Sequence, residues 1–151
     1  MHKRFLAGAL LLAALCAPSL AQEAPVEDVA LVGELMAFHG SETIVSVMST
    51  HCYETTGLDP QYRTAAQDWY LRNIGFLDLA DRVIARLGGA ADGQQQAAET
   101  YAGSQIMSAY NQAEDADRFC SNFLDTVTEG GFDIDKQLPV PLQRAQSIAS
   151  Q

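Results

Sequence analysis

Positive charge, cysteine and recognisable catalytic patterns are all scarce in this chain of 151 residues. Nine Lys and Arg stand against nineteen Asp and Glu, a formal net charge of −10. Nucleic-acid binding rests on neutralising phosphates, so this balance argues against a nucleic-acid partner. It argues against an anionic membrane surface on the same ground. The three cysteines contain no Cys-x-x-Cys spacing, the usual signature of a redox pair and of an attached c-type haem. No Gly-x-Ser-x-Gly or His-Glu-x-x-His occurs, so esterase and zinc-protease chemistry lack support. Internal repeats, low-complexity runs and period-two strand alternation are missing as well. What is present, 48% apolar and 8% aromatic residues, suits one globular domain.

The N-terminus changes this arithmetic. His2-Lys3-Arg4 is a basic lead, Phe5 to Ala17 is an unbroken stretch of apolar or small residues, and Pro18-Ser19-Leu20-Ala21 follows. Ser19 and Ala21 put small side chains where signal peptidase needs them. The pattern predicts a signal peptide over 1–21, cleaved after Ala21, and a periplasmic or secreted protein. The thirteen residues from Phe5 to Ala17 would span roughly 20 Å as a helix, short of the ~30 Å hydrocarbon core. No membrane span is expected after cleavage. A lipid anchor on Cys16 would need a small residue where Leu15 stands. Cleavage removes Lys3 and Arg4 and no acid, leaving seven basic and nineteen acidic groups, a net −12. It also removes Cys16, so Cys52 and Cys120 remain as an even pair. In an oxidising compartment such a pair on a small domain predicts a structural disulfide.

Apolar residues Leu31, Leu35, Phe38, Val45, Met48 and Cys52 advance with helical periodicity through 27–53. The place they skip is Glu42. Gly40-Ser41 just before it predicts that one helix ends at Gly40 and a second begins under a Ser41 cap, with a single kinked helix as the alternative. Asp59-Pro60 predicts a helix start. The helix over 60–87 carries Tyr62, Ala66, Trp69, Phe76, Ala80, Val83 and Leu87 on one stripe, with Asn73 in the remaining place. Asp68 with Arg72 and Asp78 with Arg82 are spaced for ion pairs on its wet side. Gly88-Gly89 ends it. A third helix is expected over about 94–112, with Ala98, Tyr101, Met107 and Tyr110 inward and Gly103 weakening it. Asp115 is placed to cap a fourth over 116–128, with Ala116, Cys120, Phe123 and Val127 on its stripe. The expected fold is all-α: a small antiparallel bundle of about four helices over 22–131, stapled by Cys52–Cys120. A proline-containing tail, 132–151, holds only short helical pieces and packs on the bundle or extends from it.

Two constellations could carry chemistry. His39-Gly40-Ser41-Glu42 and His51-Cys52-Tyr53-Glu54 are His-x-x-Glu tetrads, and residues three apart share a helix face. Each tetrad could offer an imidazole and a carboxylate to a metal, so His39, Glu42, His51 and Glu54 are the metal candidates. Twelve residues of ideal helix rotate the second tetrad by about 120°, which opposes convergence on one ion. The second constellation is Trp69, Arg72 and Asn73. Asn73 on an apolar stripe is either turned outward or buried with partners, because an unpaired buried amide costs ~1–3 kcal/mol. Glu42 is the expected partner of Asn73 or Arg72, and Glu42, Trp69, Arg72 and Asn73 form the candidate ligand site. Asp133-x-Asp135 begins like a calcium loop, but Leu138 stands where glycine is required. No cofactor is implied.

These features point to an exported, non-enzymatic helical protein acting by contacts with an unknown protein partner or with itself. In export, helical fold and single bridge it is similar in kind to small acid-stress chaperones of the periplasm, with no shared motif. An acid-responsive role is therefore the narrower expectation, since protonating nineteen carboxylates would reverse the chain's charge. The alternative is a periplasmic protein that binds a small ligand or a metal.

Overall fold

The computed structural model describes residues 25–151; the signal segment and cleavage site expected at 1–21 lie outside them. The described residues fold as six helices with no strand, as an all-α bundle requires. They are α1 (Val26–Thr55), α2 (Gln61–Arg86), α3 (Gln94–Asn111), α4 (Ala116–Thr128), α5 (Ile134–Gln137) and α6 (Pro139–Ala149).

The long α1 is the centre of the molecule. It packs against α3 on one side and against α2 on another, while α2 also receives α4 and α6. That is why its buried residues, among them Leu31, Val32, Leu35, Met36, Phe38 and Gly40, exceed a single stripe. The break expected at Gly40 does not occur. Ser41 Oγ donates back to the Ala37 carbonyl within the helix (3.1 Å) instead of capping a new one. Gly40 serves a close helix crossing, because a β-carbon there would lie 3.3 Å from Ala102 Cβ on α3.

The local signals elsewhere act as their chemistry dictates. Asp59 Oδ1 accepts from the Gln61 N–H (3.0 Å) at the start of α2. At its end Gly88 and Gly89 take positive φ (104° and 88°), and the Gly89 N–H reaches the Ile84 carbonyl (2.9 Å). Asp115 caps α4 by accepting from the Arg118 N–H (2.9 Å). Pro139 and Pro141 open α6, where no intrahelical N–H is required of them.

Two inward assignments are corrected. Tyr101 is 68% exposed, because the inner stripe of α3 runs through Ala98, Ala102 and Ile106, and its two alanines let it approach α1 at Gly40. Ala116 stands exposed in the first turn of α4, ahead of the buried Cys120, Phe123 and Val127. The segment after 131 belongs to the core: Ile134, Leu142 and Ala145 are buried among the bundle's apolar residues.

The disulfide joins Cys52 of α1 to Cys120 of α4 across 68 residues, with Cα atoms 5.6 Å apart. Both cysteines are buried. Nearby, Tyr62 at the start of α2 is also buried, and burial raises the pKa of its phenol, helped by the Asp59 carboxylate. A phenol held protonated in the fold stabilises it fully below pH ~10, and that contribution is lost as pH rises from there through the raised value. Urea midpoints measured from pH 8 to 11 should fall less steeply for Tyr62→Phe than for the wild-type chain. Parallel curves would rule Tyr62 out as the cause.

One glycine has no structural task. Gly75 lies inside α2, exposed, and an added β-carbon meets nothing within 4 Å. Gly75→Ala should raise stability by about 1 kcal/mol through helix propensity alone. A thermal melt checks this, and an unchanged or lower midpoint would contradict it.

Candidate functional site

The candidate ligand residues divide between two places. Asn73 is 0% exposed and Trp69 1% exposed on the inner stripe of α2. Asn73 Nδ2 donates to the Trp69 carbonyl (2.8 Å) and to Asp133 Oδ1 (3.1 Å), while its Oδ1 accepts from the Ile134 N–H (2.8 Å). Trp69 Nε1 donates to the Phe132 carbonyl (3.0 Å). Arg72 grips Asp133 through Nε (3.2 Å) and Nη2 (3.1 Å), and Nη2 also donates to the Val127 carbonyl (2.8 Å). Asp133, not Glu42, is therefore the partner of both Asn73 and Arg72. This network fastens the α4–α5 connection to α2, and it satisfies polar groups that burial would otherwise leave costly. The expected Asp68–Arg72 pair is absent because the guanidinium turns to Asp133. Asp78 and Arg82 are likewise unpaired with each other among the described residues.

Glu42 and Trp69 do meet, in a cleft of about 310 Å³ between α1 and α2. A continuous α1 brings Glu42 to this cleft half-buried rather than into the core. The cleft is mixed in character: Ser46, Ser49 and Thr50 from α1 face Arg63, Gln67 and Tyr70 from α2, with Val45 and Ala66 beside them. Ser49 is 3% exposed, and its Oγ has no hydrogen-bond partner among the described residues. The Arg63 guanidinium sits 3.7 Å from the centroid of the Tyr53 ring. Neither Ser49 nor Arg63 was singled out in the sequence: Ser49 shares the face of Val45 and Cys52 but is small and polar, and Arg63 lies on the wet side of α2.

A second concavity lies on the opposite flank of α1. A groove of about 450 Å³ has Gly33, Ala37, Gly40, Ser41 and Ile44 along α1 as one wall, Ala98, Tyr101, Ala102 and Gln105 of α3 as another, and Phe132, Gln137 and Leu138 as the third. It contains no Asp, Glu, Lys, Arg or His, although the chain carries a net −10. The small residues three and four apart on α1 were the available signal for this wall. The third wall begins 88 residues after Ile44 and had none.

The two His-x-x-Glu tetrads are used otherwise. His39 is buried and its Nε2 lies 2.8 Å from Asp81 Oδ1, tying α1 to α2. His51 packs edge-on against Tyr110, with ring centroids 4.3 Å apart, and Tyr110 does the same with Phe119 at 5.6 Å. The His51 Nε2 is buried without a partner, and Glu54 is exposed. Among the described residues no three His, Cys, Asp or Glu side chains gather as a metal-holding group. His39, Glu42, His51 and Glu54 are thus not brought to one point. No described helix is long and apolar enough to cross a membrane.

The chain matches no protein-family model, and no curated protein or solved structure is similar enough to indicate a relationship. The chemistry of its own concavities is what bears on function.

Proposed function

We propose that this chain is an exported, non-enzymatic helical protein that acts by contact, and that the groove between α1, α3 and the α4–α6 segment receives an apolar stretch of a partner protein. The observation that carries this reading is the groove's lining. It holds no Asp, Glu, Lys, Arg or His in a strongly acidic chain, so a partner would desolvate almost no charge on entering it. Its size suits a few side chains rather than a flat interface. The exposed Tyr101 on its rim adds an aromatic side chain of the kind enriched at contact sites. The N-terminal pattern supports export, and the low count of basic residues supports a protein rather than a nucleic-acid partner.

The test uses Ala37→Trp, which fills the groove from an exposed position on α1. Light scattering follows the aggregation of an unfolding client enzyme at pH 7 and at pH 3, with either form added. The wild-type chain should slow aggregation and Ala37→Trp should not, while both keep the same circular dichroism. Absence of protection by the wild type at both pH values would refute the contact role. Equal protection by both forms would move it away from the groove.

A further inference from the structure

We propose that Asp92-Gly93, in the loop between α2 and α3, is a site of spontaneous covalent modification, where the Asp92 linkage rearranges to isoaspartate and loosens the start of α3. Asp92 is the chain's single aspartate followed by glycine, and no asparagine precedes a glycine. Glycine carries no β-carbon to shield its amide nitrogen from the carboxyl beside it. The fold leaves both groups free. Residues 88–93 are all exposed, and the Asp92 carboxylate forms no hydrogen bond or ion pair among the described residues. Asp59 and Asp115, by contrast, accept from backbone N–H groups, and Asp81 and Asp133 hold His39 and Arg72. The Gly93 N–H donates to no acceptor among the described residues either.

Little holds the step in place. Gly93 has φ 74° and ψ 0°, the angles of the third residue of a type II turn. That turn is closed by the Gln94 N–H on the Ala91 carbonyl (3.0 Å) and the Ala91 N–H on Gln94 Oε1 (3.0 Å). A β-carbon on Gly93 would meet nothing within 4 Å, so the backbone turns in open space. Exposed turns of this kind open locally without unfolding the chain. In the opened turn the Gly93 nitrogen loses its proton to solvent and attacks Asp92 Cγ, and a carboxyl oxygen departs as water. Water then adds to the cyclic imide. Addition at Cγ restores aspartate. Addition at the Asp92 main-chain carbonyl carbon breaks its bond to the Gly93 nitrogen, leaves the main chain running through Cβ and Cγ, and frees an α-carboxylate. One water leaves and one returns, so no co-reactant is needed and the mass is unchanged.

Isoaspartate adds one methylene to the main chain inside the turn whose Ala91–Gln94 bonds lead into α3. α3 has few other fastenings there. Its N-terminus has no side-chain cap, and Ala102 is its single buried residue. No side-chain hydrogen bond or ion pair joins α3 to another helix among the described residues, whereas His39–Asp81 ties α1 to α2 and Arg144–Glu34 ties α6 to α1. A helix of this length draws most of its stability from packing. Conversion therefore frees the half of α3 that carries Ala98, Tyr101 and Ala102, a wall of the groove. Its effect on a partner rests on the contact role proposed above; the modification itself does not.

The experiment ages the full chain at neutral pH, folded and unfolded in guanidinium, and maps its peptides. A form of the peptide containing Asp92 with unchanged mass and shifted retention should accumulate. It should accept a methyl group from an isoaspartyl methyltransferase and take up heavy oxygen when aged in ¹⁸O-water. Isoaspartate at 92 should form at least about tenfold faster than at any other aspartate, and the folded rate should lie within about tenfold of the unfolded one. Asp92→Glu, which keeps the charge but enlarges the ring to be closed, should stop the conversion. In the purified isoaspartyl form, the amides of 98–103 should exchange about tenfold faster than in the fresh chain, while those in the middle of α2 do not change. No isoaspartate at 92, or a folded rate more than about tenfold below the unfolded one, overturns the site. Unchanged exchange in α3 overturns its effect on the helix. Neither readout involves a client protein, so failure here is distinct from failure of the contact role.

Discussion

Replacing both Cys52 and Cys120 by alanine, or reducing the bridge, will lower the unfolding free energy by about 4 kcal/mol. The bridge closes a loop of 68 residues that contains all of α2 and α3. Chain-entropy arguments assign that much to a loop of such length, because the unfolded ensemble regains the conformations the crosslink forbade. Against a total stability of about 5–15 kcal/mol for a domain, the loss is large. Truncation to alanine also leaves a void, since both cysteines are buried. Reduction of the wild-type chain keeps the sulfur volume and isolates the crosslink. Urea midpoints of the oxidised, reduced and double-alanine forms separate the two terms. The reduced form should account for most of the loss, with the double variant slightly lower. A reduced chain within 1 kcal/mol of the oxidised one would mean that the packing of α1 against α2 and α3 carries the fold unaided.

The helices were legible where neighbours within one turn decide the outcome. Asp59, Asp115 and Gly88-Gly89 act on backbone groups a few residues away, so their effect could be read locally. The pairing of the cysteines followed from their being the even pair left after the expected signal cleavage. Gly40 was misread because glycine answers two questions, the freedom to end a helix and the room for another helix to cross. Only the position of Ala102 decides between them. Tyr101 misled in a related way: a large apolar residue ordinarily points inward, but the close approach of α3 to α1 selects alanine for the contact.

The sites were legible in halves. A polar residue on an apolar stripe left Asn73 either turned outward or buried and bonded; it is buried and bonded, yet nothing local could indicate Asp133, sixty residues away. Glu42 and Trp69 were singled out and do share a cleft, while Arg72 and Asn73 serve the α4–α5 connection instead. Arg63, Ser49 and the Phe132–Leu138 wall of the groove were invisible for the same reason. Concavities are made by elements meeting, and their chemistry belongs to no single periodicity.

That division gives the second large effect. Asn73→Ala should destabilise the chain by about 3 kcal/mol, although Asn73 lines neither the cleft nor the groove. The substitution strips the Ile134 N–H of its acceptor and the Trp69 carbonyl of its side-chain donor, all within a buried site. An unpaired buried donor costs ~1–3 kcal/mol, and the vacated volume adds to it. Arg72 would still hold Asp133, so the connection should loosen at Ile134 first rather than detach. Hydrogen exchange distinguishes this from a general loss of stability. The Ile134 amide should pass from among the slowest in the wild type to much faster in Asn73→Ala, beyond the change seen for amides in the middle of α1. A uniform acceleration everywhere, or a loss below 0.5 kcal/mol, would show that Asn73 is a spacer on the stripe and not the fastening of α5 to α2.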